Sequence, residues 1–305
     1  MNDTALKKEI FTFASPFDGL MIETLLIAPK ENIRGIVQLS HGMAEHKERY
    51  EDFMTYLAQN GFAAIINDHR GHGKSVKSQA DLGYFYTLDT QAIVADLYAV
   101  SQIAKDKYPQ LPLYLFSHSM GTLVSRLYLK KYDSEIDKLI LCGPPTKNDA
   151  VNLAILLTKI SLKLQGAKHR SKLLNYLAFN ASNKKFGQPN YWLSSDLKEV
   201  EKYEQDPLCG YIFTNNGFFN LFLLMKEAFA EQNWQVKNSQ LPILLIAGAD
   251  DPIIQSESKF RQLELFLKQV GYLNTTGHLY ENMRHELLNE KNKHLVYQDL
   301  LDFLN

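Results

Sequence analysis

Three stretches of this 305-residue chain carry residue types that could perform nucleophilic chemistry. The first is Leu115-Phe116-Ser117-His118-Ser119-Met120-Gly121. Its Ser-x-Ser-x-Gly frame is one residue away from the Gly-x-Ser-x-Gly of a nucleophile elbow, a strained strand-to-helix turn that exposes a serine hydroxyl. Residues two before and two after the nucleophile must be small, because other backbone passes close by. With Ser119 at the centre those neighbours are Ser117 and Gly121. With Ser117 at the centre they would be Leu115 and Ser119, and leucine would clash. The frame therefore selects Ser119, with Ser117 standing where glycine is usual.

A serine hydroxyl is a weak nucleophile until a histidine accepts its proton and a carboxylate orients that histidine. On a strand-turn-helix scaffold the acid and the histidine follow the serine in that order. Ile246-Ala247-Gly248-Ala249-Asp250-Asp251 is an apolar run ending in acids, and Met283-Arg284-His285-Glu286 lies farther on. Ser119, an acid at 250–251 and His285 are thus in order, each just past an expected strand, where open α/β sheets carry their chemistry. The oxyanion of an acyl transfer needs two backbone N–H donors. Met120, directly after the nucleophile, offers one. The loop Ser40-His41-Gly42-Met43 offers the other at Met43.

The elements that must hold these residues are legible from periodicity. Residues 9–14 and 20–28 read as a leading β-hairpin. Short apolar runs at 35–40, 62–67, 113–116, 138–142, 243–247 and 275–280 read as strands. Helical patterns cover 48–60, 88–107, 121–132, 256–270 and 290–304. Alternating strands and helices predict an α/β fold, a mainly parallel doubly wound sheet covered on both faces. The alternation stops between 146 and 238, which reads as helical and aromatic-rich. We expect a core domain from 1–145 and 239–305, with 146–238 inserted as a helical cap.

Composition narrows the function classes. The formal net charge is −1, and no basic block draws the chain to nucleic acid. Cys142 and Cys209 are too few and too far apart for a disulfide framework or a thiolate metal site. Residues 1–19 lack the apolar core of a leader. No run approaches the length of a membrane span. A cytoplasmic location is the expectation. His41, His46, His69 and His72 invite a metal reading, but no carboxylate or cysteine set completes a site, and we expect loop-ordering hydrogen bonds and no metal. His118 should point away from the nucleophile and serve packing or hydrogen bonding. Asp206-Pro207 could orient a substrate head group or start a helix. The stripe in "AVNLAILLTKISLKL" could touch a membrane transiently or line an acyl tunnel; packing on the core is the expectation.

Together "LSHGMAEHKERY", "NDHRGHGKS", "FSHSMGTL", "AGADDPII" and "MRHELLNE" resemble the lysophospholipase and monoacylglycerol-lipase group of α/β-hydrolases, also described as serine aminopeptidase S33-type or "hydrolase 4". The resemblance runs from about residue 20 to the C-terminus. It implies the α/β-hydrolase fold, no cofactor, and Ser119, Asp251 and His285 as a catalytic triad. Asp251 is preferred to Asp250 because the family's acid follows Gly-x-x-Asp, counted from Gly248. It also matches Met43 and Met120 to the oxyanion donors, with His41, Gly42, Ser117 and Gly121 supporting loop and elbow. The implied activity is hydrolysis of carboxylic esters of monoacyl lipids. Its rivals are a short-chain carboxylesterase, an S33 amidase or aminopeptidase, and a binding protein on the same fold. Serine in the elbow disfavours the aspartate-nucleophile hydrolases.

Overall fold

The computed structural model describes residues 6–305, with side chains left aside only at 180 and 181. Residues 1–5, which belong to the start read above as no leader, lie outside the described residues. The eight strands are β1 (Leu6–Ala14), β2 (Met21–Pro29), β3 (Gly35–Ser40), β4 (Phe62–Asn67), β5 (Leu113–His118), β6 (Lys138–Cys142), β7 (Ile243–Gly248) and β8 (Thr275–Tyr280). They form one sheet in the order β1-β2-β4-β3-β5-β6-β7-β8. β1 pairs antiparallel with β2, and β2 antiparallel with β4; every other neighbouring pair is parallel. This is the α/β-hydrolase architecture that the sequence predicts.

The central strands are buried on both sides, so their alternate residues feed two cores. Leu113 and Leu115 of β5 join a core with residues of α2 (Gln91–Lys107), α3 (Met120–Tyr132) and α8 (Glu257–Gln269). Tyr114 and Phe116 join the opposite core, with α1 (Glu51–Gln59) and α9 (Lys293–Leu304). That is why these strands read as continuous apolar runs rather than as alternating ones.

Between β6 and β7 the chain forms α4 (Val151–Gln165), α5 (Lys172–Phe186), α6 (Leu197–Gln205) and α7 (Asn215–Ala228). Among the described residues of this interval there is no strand. The helix α7 is largely buried, packs on α3 and carries α4 on its other side. The apolar stripe of α4 departs from the core-packing expectation. Leu153, Leu156, Ile160 and Leu164 are exposed, as are Leu173, Tyr176 and Leu177 around the start of α5. The stripe is wider than the one face that α7 covers. Among the described residues, no helix is long and apolar enough to cross a membrane.

Candidate active site

The turn from β5 into α3 sets the geometry. Ser119 sits at φ 51° and ψ −117°, a region that side chains other than glycine's enter only under constraint. Its N–H donates to Cys142 O of the neighbouring strand at 2.9 Å, which holds the residue there. Gly121 is obligatory: a Cβ on it would fall 2.2 Å from Ser40 O and 2.7 Å from His41 O. Ser117 is fully buried, and its hydroxyl donates to Ile140 O at 3.1 Å. The departure from glycine is thus absorbed by one satisfied hydrogen bond.

Ser119 Oγ lies 2.8 Å from His285 Nε2, and His285 Nδ1 lies 2.8 Å from Asp251 Oδ2. Both links belong to one tautomer, with His285 Nδ1–H donating to the carboxylate and Nε2 accepting from the serine. The other oxygen of Asp251 accepts Ile253 N–H at 2.8 Å, which fixes the carboxylate plane. Asp250 is exposed and is not a partner of His285. Gly248, three residues before Asp251, has its own reason. A Cβ there would meet Met283 O at 2.1 Å and Arg284 O at 2.3 Å, so glycine lets the end of β7 approach the loop carrying His285. The Trp192 ring lies over the imidazole, with centroids 5.2 Å apart.

Met43 and Met120, the two oxyanion candidates, both line the cleft that holds Ser119 and His285. Met120 opens α3, so its N–H has no acceptor within its own helix. Met43 N–H has no acceptor among the described residues. Gly42 does not offer its N–H to the cleft; it donates to Glu45 Oε1 at 2.6 Å. His41 is buried and orders the loop. Its Nε2 accepts His69 N–H at 2.9 Å, so its Nδ1–H donates to Gly42 O at 2.8 Å. Burial pulls its pKa down to about 3, which keeps it neutral.

Behind the elbow lies a charge cluster that the sequence reading did not assemble. Glu45, Arg49, His118 and Glu286 are all closed off from solvent or nearly so. Arg49 donates to Glu45 at 2.8 Å and to both oxygens of Glu286 at 2.8 and 2.7 Å. Burial would raise the pKa of Glu45, but His118 and Arg49 outweigh it and hold the carboxyl well below the usual range. The signal was present in "HGMAEHKERY". Glu45, Arg49 and Tyr50 sit one turn apart, and the turn Lys47–Tyr50 leading into α1 brings them to one side.

The other histidines resolve differently. His41, His69 and His72 cluster, with ring centroids 4.3 to 6.3 Å apart and no carboxylate among them. Among the described residues, one group of metal-ligand types does converge: His46, Asp206 and Cys209, within 4.8 Å of one another. Both ring nitrogens of His46 already face carboxylates, Glu48 at 2.6 Å and Asp206 at 2.8 Å. Asp206 therefore neither starts a helix nor faces the cleft. It ends α6 and ties this interval of the chain to the loop after β3.

A cleft of about 390 Å³ opens above Ser119. Leu123, Val151, Leu157, Leu221, Phe222 and Met225 form much of its apolar wall, and Ser119, His118, His285, Glu45 and Glu286 reach its floor. Among the described residues, no lysine or arginine lines it.

Comparison with known proteins identifies the family. The family model described as "Serine aminopeptidase, S33" (Hydrolase_4) matches residues 31–292. The monoglyceride lipase of Rattus norvegicus is 28% identical over 274 residues, covering 90% of this chain and 82% of that protein. The monoacylglycerol lipase of Mycolicibacterium smegmatis is 24% identical over 287 residues, covering 94% and 93%. Among solved structures, a thermostable carboxyl esterase from Bacillus coagulans in complex with glycerol superposes with a TM-score of 0.88 at 24% identity, covering 99% of this chain and 98% of that one. Family match, relatives and architecture converge, and the chain belongs to the serine aminopeptidase S33 (Hydrolase_4) family of α/β-hydrolases.

Proposed function

We propose that this protein is an ester hydrolase acting on monoacyl lipids through Ser119, His285 and Asp251. The observation that carries the reading is the unbroken pair of 2.8 Å hydrogen bonds, Ser119 to His285 to Asp251, at the floor of an apolar cleft. His285 Nε2 takes the proton of Ser119 as Oγ attacks the acyl carbonyl. Asp251 steadies the imidazolium that forms. The oxyanion is received by the N–H groups of Met43 and Met120, each such donor being worth about 3 kcal/mol of barrier. His285 then protonates the departing alkoxide, and water resolves the acyl-enzyme by the same route in reverse. Residues 146–238 act as the cap over this cleft. The cleft falls in the size range of about 300–1,000 Å³ usual for small-molecule sites and suits an acyl chain.

Cleft chemistry favours a neutral glycerol ester over the alternatives. A phosphate-bearing head group calls for arginine or lysine, and none lines the cleft among the described residues. An aminopeptidase needs a free carboxylate for the substrate's ammonium group. Glu45 and Glu286 are the carboxylates among its lining residues, and both are already engaged, each bonded to Arg49 and Glu45 also to His118. Exposed leucines on α4 beside Lys159 and Lys163 support transient contact of the cap with a lipid surface.

The test is a set of three substrates under one condition: a monoacylglycerol, the matching lysophosphatidylcholine and an aminoacyl anilide. The expected order of kcat/KM is monoacylglycerol first and anilide last. Preference for the anilide sinks the ester reading. Failure of the native protein to react with a fluorophosphonate probe favours a binding protein instead.

A further inference from the structure

His118 adjoins the nucleophile in sequence, yet its ring faces the charge cluster behind the elbow, which the reaction scheme leaves unused. Its Nδ1 lies 3.1 Å from Glu45 Oε1, and its Nε2 lies 3.3 Å from the main-chain oxygen of His285. Both neighbours can only accept hydrogen bonds. A neutral imidazole has one N–H and would turn a lone pair toward one of these oxygens. Only the imidazolium serves both.

The surrounding charges agree. The titratable groups facing His118 are Glu45, Arg49 and Tyr50 from the segment after β3, and His285 and Glu286 from the loop after β8. Glu45 and Glu286 bring two negative charges, and Arg49 brings one positive. A protonated His118 balances the buried set; a neutral one leaves it with net negative charge in a place that disfavours unpaired charge. Burial alone would strip the proton, but the Glu45 carboxylate outweighs it and the pKa is raised.

The cluster touches both halves of the reacting machinery. Glu45 Oε1 accepts the N–H of Gly42, the residue before Met43, at 2.6 Å, and also the Tyr50 hydroxyl at 2.9 Å. Glu286 directly follows His285. We propose that His118 is a positioning residue held as an imidazolium, clamping the oxyanion loop at Gly42–Met43 to the main chain of His285 across the back of the elbow. The inference rests on the ester-hydrolase reading for its kinetic arm alone. Its pH sense follows from the sign of the shift. A group that binds its proton more tightly folded than unfolded contributes fully in acid and loses its contribution as pH rises through the folded pKa.

The experiment combines ¹⁵N NMR of histidine-labelled native protein with kinetics of His118→Gln. At neutral pH the His118 resonances, assigned by their loss in the variant, should report two protonated ring nitrogens. A lone-pair nitrogen there overturns the proposal. In His118→Gln, kcat for a nitrophenyl ester should fall about 10- to 100-fold with KM within about twofold, the size expected of misplacement rather than lost binding. In the native protein kcat should decline in alkali, and that decline should be absent from the variant. Native kcat with a native pH profile in H118Q overturns the clamp. If the variant does not fold, the native protein decides alone: loss of the His118 proton must coincide with the alkaline fall in turnover, and failure to coincide overturns it. If no ester is turned over, the rate of fluorophosphonate labelling replaces kcat while the NMR arm stands unchanged, so the two readings fail separately.

Discussion

The elbow and the helices above it are built on opposite terms. At the elbow every residue is fixed by exclusion. Ser119 is held at positive φ by a main-chain bond to β6, Gly121 has backbone oxygen where a Cβ would sit, and Ser117 is sealed with its hydroxyl bonded. In α4, by contrast, Leu153, Leu156, Ile160 and Leu164 are exposed, and the helix rests on α7, which in turn packs on α3. Close packing makes the response to a change all-or-none; a loosely covered apolar surface makes it graded. Substitutions in the two regions should therefore differ in kind as well as in size.

The largest effect belongs to the proposed nucleophile. Ser119→Ala should lower kcat by about 10⁴-fold or more, the scale seen when a triad member is removed, with the fold intact. Ser117→Gly should keep most of the activity, because glycine restores the commoner frame and removes only one buried hydroxyl together with its bond. Steady-state rates on a nitrophenyl ester decide this. If Ser117 proves indispensable and Ser119 does not, the assignment of the elbow is wrong.

Gly121→Ala comes next. The added methyl would have to displace main chain at Ser40 and His41, which flexible side chains cannot relieve. We expect a loss of about 3 kcal/mol or more in urea unfolding, beyond ordinary overpacking, together with a fall in kcat as the Met43 loop is pushed away. A native-like midpoint would mean that the elbow is far more pliant than its contacts imply.

The contrast also explains what could be read in advance. The strands were legible because burial on both faces leaves runs such as Leu113–Phe116 unbroken by polar residues. Ser119, an acid at 250–251 and His285 were legible because their order and their places past strand ends follow from the topology. Asp251 could be separated from Asp250 only by resemblance, since the choice depends on which carboxylate is turned toward the imidazole. Of the cluster of Glu45, Arg49, His118 and Glu286, only the spacing of Glu45 and Arg49 was legible. Its members lie on the segment after β3, the end of β5 and the loop after β8, and no periodicity announces that Arg49 and Glu286, far apart in sequence, will share two hydrogen bonds. The exposure of the α4 leucines was missed because a stripe in the sequence does not reveal how wide a partner face will be.

A smaller, graded effect is expected on the exposed face of α4. The pair Leu156→Ser and Leu164→Ser removes apolar area that the fold does not use, so Tm should stay within a few degrees. Turnover of monoacylglycerol presented in lipid vesicles should fall several-fold, while turnover of a dissolved short-chain ester stays level. An equal loss on both substrates would place the effect in the cleft rather than at a lipid surface.

The smallest effect tests how this interval is fastened to the sheet domain. His46 stands between Glu48 on one side and Asp206 on the other. Burial opposes its protonation, but the two carboxylates prevail and its pKa is raised. The Asp206 pKa is lowered: burial opposes this, and the Leu208 N–H and His46 outweigh it. A raised histidine loses its contribution as pH climbs through the folded pKa, and a lowered carboxylate loses its own as pH drops through the folded pKa. The fastening is therefore complete only in the window between the two. Asp206 is partly exposed, so solvent screening keeps the contribution of the pair to about 1 kcal/mol or less. The Tm difference between the native protein and Asp206→Asn should be greatest in that window and close at alkaline pH. A difference that persists or widens in alkali would mean that Asp206 acts through its hydrogen bond to Leu208 and the geometry of the α6 end, with His46 serving as a neutral spacer.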